Sequence, residues 1–509
     1  MSHARTRRAW IGATAVATTL AAGMMASPAQ ALQGAPADAA AYAHTASIVI
    51  GNSERACTGT LVAPRWVLSA ASCFADASGT VQPGKPKTAT KVVVGRADLT
   101  QTTAGATRSA IQLVPHADRD LVMVKLDTGI AQVKPAVLAA TPATADEAVQ
   151  AAGFGRTKTT WVPDRLHTAP FTAVGDTSAD LTLTASGDGV LCQGDAGGPV
   201  LRQKDGKQEL LAVTSASWQG GCLGTPATET RTGAVATRVD DVRAWVESTS
   251  SAVPGDLNGD NKPDLVAVDD AGKLLLYPGT GTGALGAPVV IGSGGWSGAS
   301  VSHRGDWNGD GMEDVVARVG GELRVYPNLG NGTIGAPIKM ATLPTTARIL
   351  SVGDTNRNGK PDLLVTHSDK LYIHHGAVGT APAIATPILI GTGGWDVMDL
   401  SAPGDADRDG TIDLLARDTR DGILYHYMGQ PDGKTFTSRT EYGRGYTTAF
   451  RPLIASGPDA NGDGTADMWA TAGDGTLKFY KGGTSIHGPI DGPSVQVGSG
   501  GWGGIASIS

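Results

Sequence analysis

The chain has 509 residues, a globular composition with 70 glycines and 28 prolines, and a net charge of −7 at pH 7. Its length predicts more than one domain. Because it is acidic overall and has no basic tract, we do not expect it to bind nucleic acid.

The first thirty-one residues have the pattern of an export signal. Three arginines lie within the first eight residues, an apolar stretch covers 11–25, and Ala-Gln-Ala at 29–31 is typical of a cleavage site. The paired arginines leave a twin-arginine signal as an alternative, but the rest of that motif is missing, which favours general secretion. No second segment has the ~18 apolar residues of a membrane span. We therefore expect a secreted protein without a membrane span, in a compartment where disulfides persist.

The N-terminal half, residues 32–248, contains short runs rich in β-branched residues that glycine and proline separate. This pattern predicts an all-β sandwich or barrel. The clearest predicted strands are 46–50, 66–69, 92–94, 121–126 and 210–214.

A helix and a linker are predicted where the two halves meet. Residues 239–248 place Val239, Val242 and Val246 on one helical face, and 249–254 form a short linker. The halves differ in charge: the stretch before residue 250 has 20 acidic and 19 basic residues after the signal, whereas the remainder has 28 and 19. The acidity therefore belongs to a separate second domain, residues 255–509.

Five motifs of the N-terminal half resemble those of trypsin-like (chymotrypsin-fold, peptidase S1) serine proteases. The resemblance implies two β-barrels. Four cysteines allow three pairings, and the resemblance implies Cys57–Cys73 and Cys192–Cys222. In chain order the motifs are CTGTLVAPRWVLSAASC (57–73), DLVMVKL (120–126), CQGDAGGPV (192–200), SWQGGC (217–222) and the closing VDDVRAWV.

The resemblance also identifies the positions of a catalytic triad, two of which have changed. Asp120 corresponds to the carboxylate that orients the histidine, but Ser72 stands at the histidine position and Ala196 at the nucleophilic serine. A methyl group cannot attack a carbonyl, and a serine hydroxyl is not a useful base near neutral pH. We therefore expect no proteolysis. Three other histidines have no catalytic pattern around them and are interpreted as surface or loop residues: His44, His116 and His167.

The altered motif retains features of a binding site. Gly194 and the N–H of Ala196 match the family's oxyanion hole, and Asp195 matches the aspartate that pairs with a new N-terminal ammonium. Removal of residues 1–31 would leave Leu32 as that terminus. The alternative is a disordered N-terminus, with Asp195 paired in another way.

The predicted substrate pocket has no basic specificity. Val190 stands where trypsin-type enzymes carry the acidic residue that selects Lys or Arg. Trp218 and Gln219 match the strand that pairs with a bound peptide. The resemblance therefore leaves weak binding of an extended peptide as an expectation.

Five acidic segments in the C-terminal half repeat one pattern, and their starts are 50, 48, 51 and 54 residues apart. Asp or Asn at positions 1, 3, 5 and 9 brings hard oxygen ligands together, which predicts calcium; a solvated acidic turn is the alternative. Strands follow the loops and alanine stands at position 12 in three repeats, so an EF-hand is excluded. The predicted calcium ligands are Asp256, Asn258, Asp260, Asp264, Asp306, Asn308, Asp310, Asp314, Asp354, Asn356, Asn358, Asp362, Asp405, Asp407, Asp409, Asp413, Asp459, Asn461, Asp463 and Asp467.

Each repeat of about fifty residues contains four strand-like stretches, a pattern typical of a propeller blade. The repeats resemble FG-GAP/VCBS repeats of integrin-like propellers, with part of their signature at 285–288 and 334–337. The first loop lacks a preceding Gly-Gly-Trp strand, whereas the last Gly-Gly-Trp segment lacks a following loop. We therefore predict that this last segment completes the first blade of a five-bladed ring.

Trp296, Trp395 and Trp502, in the Gly-Gly-Trp segments, are predicted to pack between blades. Exposed platforms that stack on carbohydrate are the alternative.

The sequence favours a secreted, monomeric, catalytically inactive protease homologue that binds a protein, a peptide or a cell-surface glycan, with calcium in its propeller loops. One alternative is an active secreted serine endopeptidase with a non-standard site. The other is a cell-wall or glycan-binding adhesion protein in which the N-terminal half is a scaffold.

Overall fold

A computed structural model describes residues 35–174, 179–330, 332–379, 381–485, 488–490 and 494–509. The predicted export signal and Leu32 lie outside these residues. The regular secondary structure of the described residues is almost entirely β, as predicted, and none of the helices among them is long and apolar enough to span a membrane.

The first barrel consists of six antiparallel strands that close on themselves in the order β2-β3-β4-β7-β6-β5. Its interior is filled by aliphatic side chains, of which Ile48, Leu61, Val67 and Val124 are fully buried. The strands up to the end of this barrel are β1 (Ala35–Pro36), β2 (Thr45–Ile50), β3 (Arg55–Ala63), β4 (Trp66–Ser69), β5 (Thr90–Val94), β6 (Ala106–Pro115) and β7 (Val122–Leu126).

The second barrel is a ring of six strands, β9-β10-β11-β14-β13-β12, closed by pairing of β9 with both β10 and β12. Strand β1 adds to β10, and β8 adds to β13. Phe171, Leu181, Val200 and Leu211 are fully or almost fully buried in its core. The strands are β8 (Val137–Leu138), β9 (Glu147–Gly153), β10 (His167–Val174), β11 (Asp180–Ala185), β12 (Pro199–Lys204), β13 (Lys207–Ser217) and β14 (Ala234–Arg238).

The two implied disulfides, Cys57–Cys73 and Cys192–Cys222, are confirmed. The first joins β3 to a short 3-10 helix, Ala71–Phe74, that carries Ser72. The second joins the loop around Ala196 to the loop after β13. Both cross-links therefore constrain the backbone around the predicted catalytic positions.

Helix α1 (Arg243–Ser250) begins later than the predicted 239–248 and includes the first two linker positions. The residues before it form a single turn, in which the N–H of Val242 donates to the carbonyl of Val239, and Asp240 and Asp241 there form ion pairs with Arg238 and Arg119. The three valines predicted to share a face are all buried in one cluster, as expected, although Val246 alone belongs to the helix proper.

The C-terminal half forms five four-stranded antiparallel sheets, the blades of the predicted propeller. Their strands are β15 (Leu265–Asp269), β16 (Leu274–Tyr277) and β17 (Val289–Gly292); β18 (Ser300–Ser302), β19 (Val315–Val319), β20 (Glu322–Tyr326) and β21 (Ile338–Thr342); β22 (Arg348–Gly353), β23 (Asp362–His367), β24 (Lys370–His374) and β25 (Ile388–Gly391); β26 (Met398–Gly404), β27 (Asp413–Asp418), β28 (Ile423–Tyr427) and β29 (Thr440–Gly443); and β30 (Ile454–Ser456), β31 (Met468–Thr471), β32 (Leu477–Tyr480) and β35 (Val495–Gly498), with a separate hairpin β33 (Gly482–Ser485) and β34 (Gly488–Ile490).

The predicted closure of the ring is confirmed. The final strand, β36 (Ile505–Ile508), follows a short 3-10 helix, Trp502–Gly504, and pairs with β15, which makes it the fourth strand of the first blade. Fifth-blade residues Trp469 and Phe479 share a buried cluster with Leu265 of the first blade. The first and last blades are therefore joined both by the pairing of β36 with β15 and by packing of their buried side chains.

The Gly-Gly-Trp tryptophans pack against tyrosines, as predicted, rather than forming exposed platforms. Trp296 lies 4.7 Å from Tyr326 between ring centroids, and Trp502 lies 4.6 Å from Tyr277. Trp395 is half-buried and lies 5.5 Å from the ring of Tyr427. All three extend from one blade to a tyrosine of the next blade around the ring.

The first barrel contacts the loops that begin the first two propeller repeats. Lys125 is 4% exposed, and its Nζ donates to the carbonyl of Gly259 and to Oδ1 of Asn261, both at 2.9 Å. Gly129 approaches the second loop so closely that a Cβ there would overlap the backbone of Asp310. We call these contacts the joint; they place two of the predicted calcium loops at the domain boundary.

Candidate functional site

The site begins with Asp120, which lies in the turn before β7. Its carboxylate accepts the N–H of Ser72 at 2.7 Å and the hydroxyl of Ser72 at 3.0 Å. The hydroxyl of Ser215 on β13 donates to the same carboxylate at 2.5 Å. Ser72 thus lies beside the retained carboxylate, where a histidine would stand, but its hydroxyl proton is already directed at Asp120.

Ala196 lies across the cleft from Ser72, between the two barrels. Its carbonyl accepts the N–H of Thr58 at 2.9 Å, which fixes the loop to β3 of the first barrel. Both Ser72 and Ala196 line a cavity of about 350 Å³. The structure therefore brings the predicted catalytic positions together, with a methyl group where attack on a carbonyl would start.

The buried carboxylate of Asp195 stabilises the loop around Ala196 by accepting two backbone hydrogen bonds. Its two oxygens accept the N–H of Gly155 at 2.7 Å and of Cys192 at 2.8 Å. Burial raises the pKa of Asp195 to about 6, although the two backbone donors oppose that rise. A Cβ on Gly155 would overlap this carboxylate, so glycine is required there.

The predicted pocket residues lie at different depths. Val190 is 6% exposed, packs with Cys192 and Cys222, and borders a separate small cavity beside His167 and Asp195 instead of the cavity that Ser72 and Ala196 line. Gln219 lines the cavity, whereas the side chain of Trp218 is 53% exposed and its ring lies 3.7 Å from the guanidinium of Arg231. The cavity wall is formed instead by the strand segment 215–217.

Comparison with known proteins agrees with this geometry. Residues 31–246 match the family model described as Trypsin, and residues 306–365 match the model described as FG-GAP-like repeat. The N-terminal domain belongs to the trypsin family. Over 233 residues the chain is 29% identical to chymotrypsin-like elastase family member 1 of Macaca fascicularis, covering 39% of this chain and 80% of that protein. It is 25% identical over 189 residues to serine protease SP24D of Anopheles gambiae, covering 33% and 66%.

None of the three histidines of the trypsin-family domain considered above contacts Asp120 among the described hydrogen bonds and ion pairs. His116 packs edge-on against Trp245, with 4.9 Å between ring centroids. His44 is buried in the first barrel, and that burial lowers its pKa to about 4. His167 lies on β10 beside Asp195, and burial also lowers its pKa. These positions are consistent with non-catalytic residues, but the interpretation as surface or loop residues is wrong for His167, which lies in a strand, and His44 is buried instead of on the surface.

In the FG-GAP-like repeats, the acidic side chains hold each loop in shape. In the second loop Asp306 accepts the N–H of Gly309 at 2.6 Å and of Gly311 at 2.7 Å, and Asp314 accepts the N–H of Asn308 at 3.0 Å. In three loops the aspartate at the ninth position has a raised pKa. Burial is the main cause, and the charges of nearby carboxylates raise the pKa further. These values are about 6 for Asp264 and Asp467 and about 8 for Asp314.

The fourth loop has the geometry closest to a cation site. Ligand oxygens of Asp405, Asp407 and Asp413 lie within 4.8 Å of one another, the one such acidic group among the described residues. Oxygens bound to one Ca²⁺ at its usual 2.3–2.6 Å are at most about 5 Å apart. These three residues therefore fit a calcium ion, whereas the described parts of the other loops do not bring three carboxylates so close.

Sequence reasoning missed three residues that shape the cleft. Ser215 holds Asp120, and the hydroxyl of Thr58 donates to the carbonyl of Gly194 at 2.9 Å. Arg55 lines the cavity and donates to the carbonyls of Cys73 and Ala75. Ser215 precedes the quoted SWQGGC motif, Thr58 lies within the quoted motif 57–73 without an assigned role, and Arg55 precedes that motif, so only their contacts reveal what they do.

Proposed function

We propose that this protein is a secreted, catalytically inactive trypsin homologue that binds peptides or proteins through the cleft between its barrels. The hydrogen bonds of Ser72 with Asp120 carry this proposal, because they fill the position of the missing base with a group that cannot accept a proton near neutral pH. Ala196 supplies no nucleophile. The two disulfides support an oxidising extracellular compartment.

We further propose that the propeller loops bind calcium. Support comes from the oxygen cluster of Asp405, Asp407 and Asp413, and from the raised pKa values of buried carboxylates in the first, second and fifth loops. A divalent cation would neutralise the repulsion between these groups. Its role in this proposal is to stabilise the loops.

The test of inactivity uses the purified protein with a pool of fluorogenic peptide substrates and a fluorophosphonate probe. We expect no turnover above buffer and no labelled serine in the N-terminal domain. The control pair is Ala196→Ser and the double variant Ser72→His/Ala196→Ser. The double variant should hydrolyse peptides about 10²-fold or more faster than the single variant, because a general base contributes at least that much. Labelling of any N-terminal serine in the unaltered protein would overturn the proposal.

A further inference from the structure

The innermost strands of the five propeller blades surround an axial channel. Strand β18 contacts β22 and β36, β22 contacts β26, and β26 contacts β30. One mouth of the channel is a cavity of about 400 Å³ that is lined by residues of all five strands, most of them at or just before the first strand positions. The loops proposed to bind calcium follow the other ends of β18, β22, β26 and β30. This mouth therefore lies on the face of the propeller opposite to the joint, away from the trypsin-family domain.

The charged residues that line this mouth are three arginines and one carboxylate. Arg348 donates to one oxygen of Asp399 at 3.1 Å, and Nε of Arg417 donates to the other oxygen at 3.1 Å. Arg318 donates to three backbone carbonyls and has no carboxylate partner among the described residues. Three positive charges and one negative charge leave the lining with a formal charge of +2. We call this cavity the arginine mouth.

The guanidinium groups are held in place by backbone contacts between neighbouring blades. Arg318 on β19 donates to the carbonyl of Ala347 at 2.7 Å, and Arg417 at the equivalent position of β27 donates to that of Pro452 at 3.0 Å. Both arginines are buried, whereas the side chain of Arg348 is 40% exposed and opens the mouth to solvent. The positions of the charges are therefore fixed before a ligand arrives, which reduces the entropy lost on binding.

The opposite side of the arginine mouth is formed by the fifth and first blades, and their described residues in the lining carry no charge. Leu453, Ile454 and Ile508 line the cavity there. A ligand that fits has its negative charge at one end and apolar atoms at the other. Two negative charges match the formal charge of +2, and guanidinium groups bind carboxylates and phosphates through paired N–H donors.

We propose that the arginine mouth binds a small organic dianion, either a phosphate monoester or a dicarboxylate, whose apolar part lies against the fifth and first blades. The volume of the cavity is within the range of about 300–1,000 Å³ that is usual for small-molecule sites. This site goes beyond the proposed function, because neither the cleft between the barrels nor the loops proposed to bind calcium contribute to its lining.

The test is isothermal titration calorimetry of the full protein at low salt and pH 7.5, where a phosphate monoester carries close to two negative charges. The probes are phenyl phosphate and isophthalate as dianions, benzoate as a monoanion and benzyl alcohol as a neutral molecule. We expect at least one dianion to bind tenfold or more tightly than benzoate, and benzyl alcohol not to bind. Binding of phenyl phosphate alone identifies the ligand as a phosphate monoester, binding of isophthalate alone identifies a dicarboxylate, and binding of both shows that charge decides. Failure of both dianions to bind, or equally tight binding of benzoate, would overturn the inference.

The apolar side of the mouth is tested with dianions that lack the aromatic ring. Methyl phosphate and malonate should bind less tightly than phenyl phosphate and isophthalate, because they do not reach the aliphatic side chains of the fifth and first blades. Equal binding with and without the ring would overturn the proposed position of the apolar part.

A pair of variants with opposite expected effects locates the site. Arg348→Gln removes one positive charge from the mouth and should weaken binding of the dianion by about tenfold or more, because hydrogen bonds between charged groups are the strong ones. Asp399→Asn removes the one negative charge of the lining and should tighten binding by about threefold or more. Arg324→Gln is the matched control, since Arg324 forms an ion pair with Glu322 on β20 outside the cavity, and it should leave binding unchanged. Thermal unfolding shows that the variants fold. Unchanged binding with Arg348→Gln, or weaker binding with Asp399→Asn, would overturn the inference.

Discussion

At the scale of single residues, Asp195 is a buried carboxylate without a described cationic partner. Its oxygens are held by the N–H groups of Gly155 and Cys192, and a small cavity beside it is lined by His167 and Val190. Burial lowers the pKa of His167, which favours the neutral imidazole. The ammonium of Leu32 that the sequence predicts as a partner lies outside the described residues, so its pairing with Asp195 stays a prediction.

The ionisation of Asp195 makes stability depend on pH in a defined direction. Its pKa is about 6 in the folded protein against an ordinary value of 3.8. Its contribution is therefore full below pH 3.8 and is lost as the pH rises through 6, at a cost of about 3 kcal/mol. In a chain whose N-terminus is extended by one residue before Leu32, Asp195→Asn should remove this loss, as measured by denaturant unfolding between pH 4 and 7. The exposed control Asp188→Asn should retain it. An unchanged pH profile in the Asp195 variant would contradict the prediction.

At the scale of elements, the repeats in the sequence predict how the propeller closes, whereas the sequence does not predict which face of strand β13 and its extension each side chain occupies. The unmatched Gly-Gly-Trp segment is enough to predict that β36 completes the first blade. The placement of Trp218 on the cleft wall follows from motif resemblance alone. Successive residues of a strand point to opposite faces. Ser215 and Ser217 direct their hydroxyls to Asp120 and to the carbonyl of Leu191, whereas Trp218 lies outward against Arg231.

The fourth propeller loop is the element in which loss of one ligand is most informative. Asp407→Asn keeps the side-chain oxygen that accepts the N–H of Asp409 at 3.1 Å but removes one charge from the cluster. Calcium at 100 times its dissociation constant should stabilise the unaltered propeller by about 2.7 kcal/mol for each site. The variant should bind one calcium fewer, or bind one at least tenfold more weakly, in a calorimetric titration. Asp421→Asn, in the turn between β27 and β28, is the matched control. Identical titrations of the variant and the unaltered protein would contradict a site in this loop.

At the scale of the whole molecule, the joint connects the trypsin-family domain to the loops proposed to bind calcium. Lys125 is a buried cation that donates to Gly259 and Asn261 of the first loop. Arg65 is also buried there, and Asp256 and Asp310 of the first two loops favour its charged form while burial lowers its pKa. The contact between Lys125 and the turn at 259–261 could not be predicted from the sequence. A Lys on a strand and a Gly-Asp-Asn turn show no sign of pairing until the two domains are placed together.

Removal of the Lys125 charge should loosen this joint without unfolding either domain. Lys125→Met keeps an apolar side chain of similar length but leaves the carbonyl of Gly259 and the amide of Asn261 without their donor. Hydrogen bonds to a charged group contribute about 1.5–3 kcal/mol, so the equilibrium constant for docking of the two domains should fall at least tenfold. Limited proteolysis should then cut within 249–254 more rapidly, and small-angle scattering should show a larger radius of gyration. Lys91→Met, an exposed position on β5, is the control and should leave both measurements unchanged. If the Lys125 variant is cleaved at the rate of the unaltered protein, Lys125 does not hold the two domains together, and their contact depends on the close packing of Gly129 against the second loop.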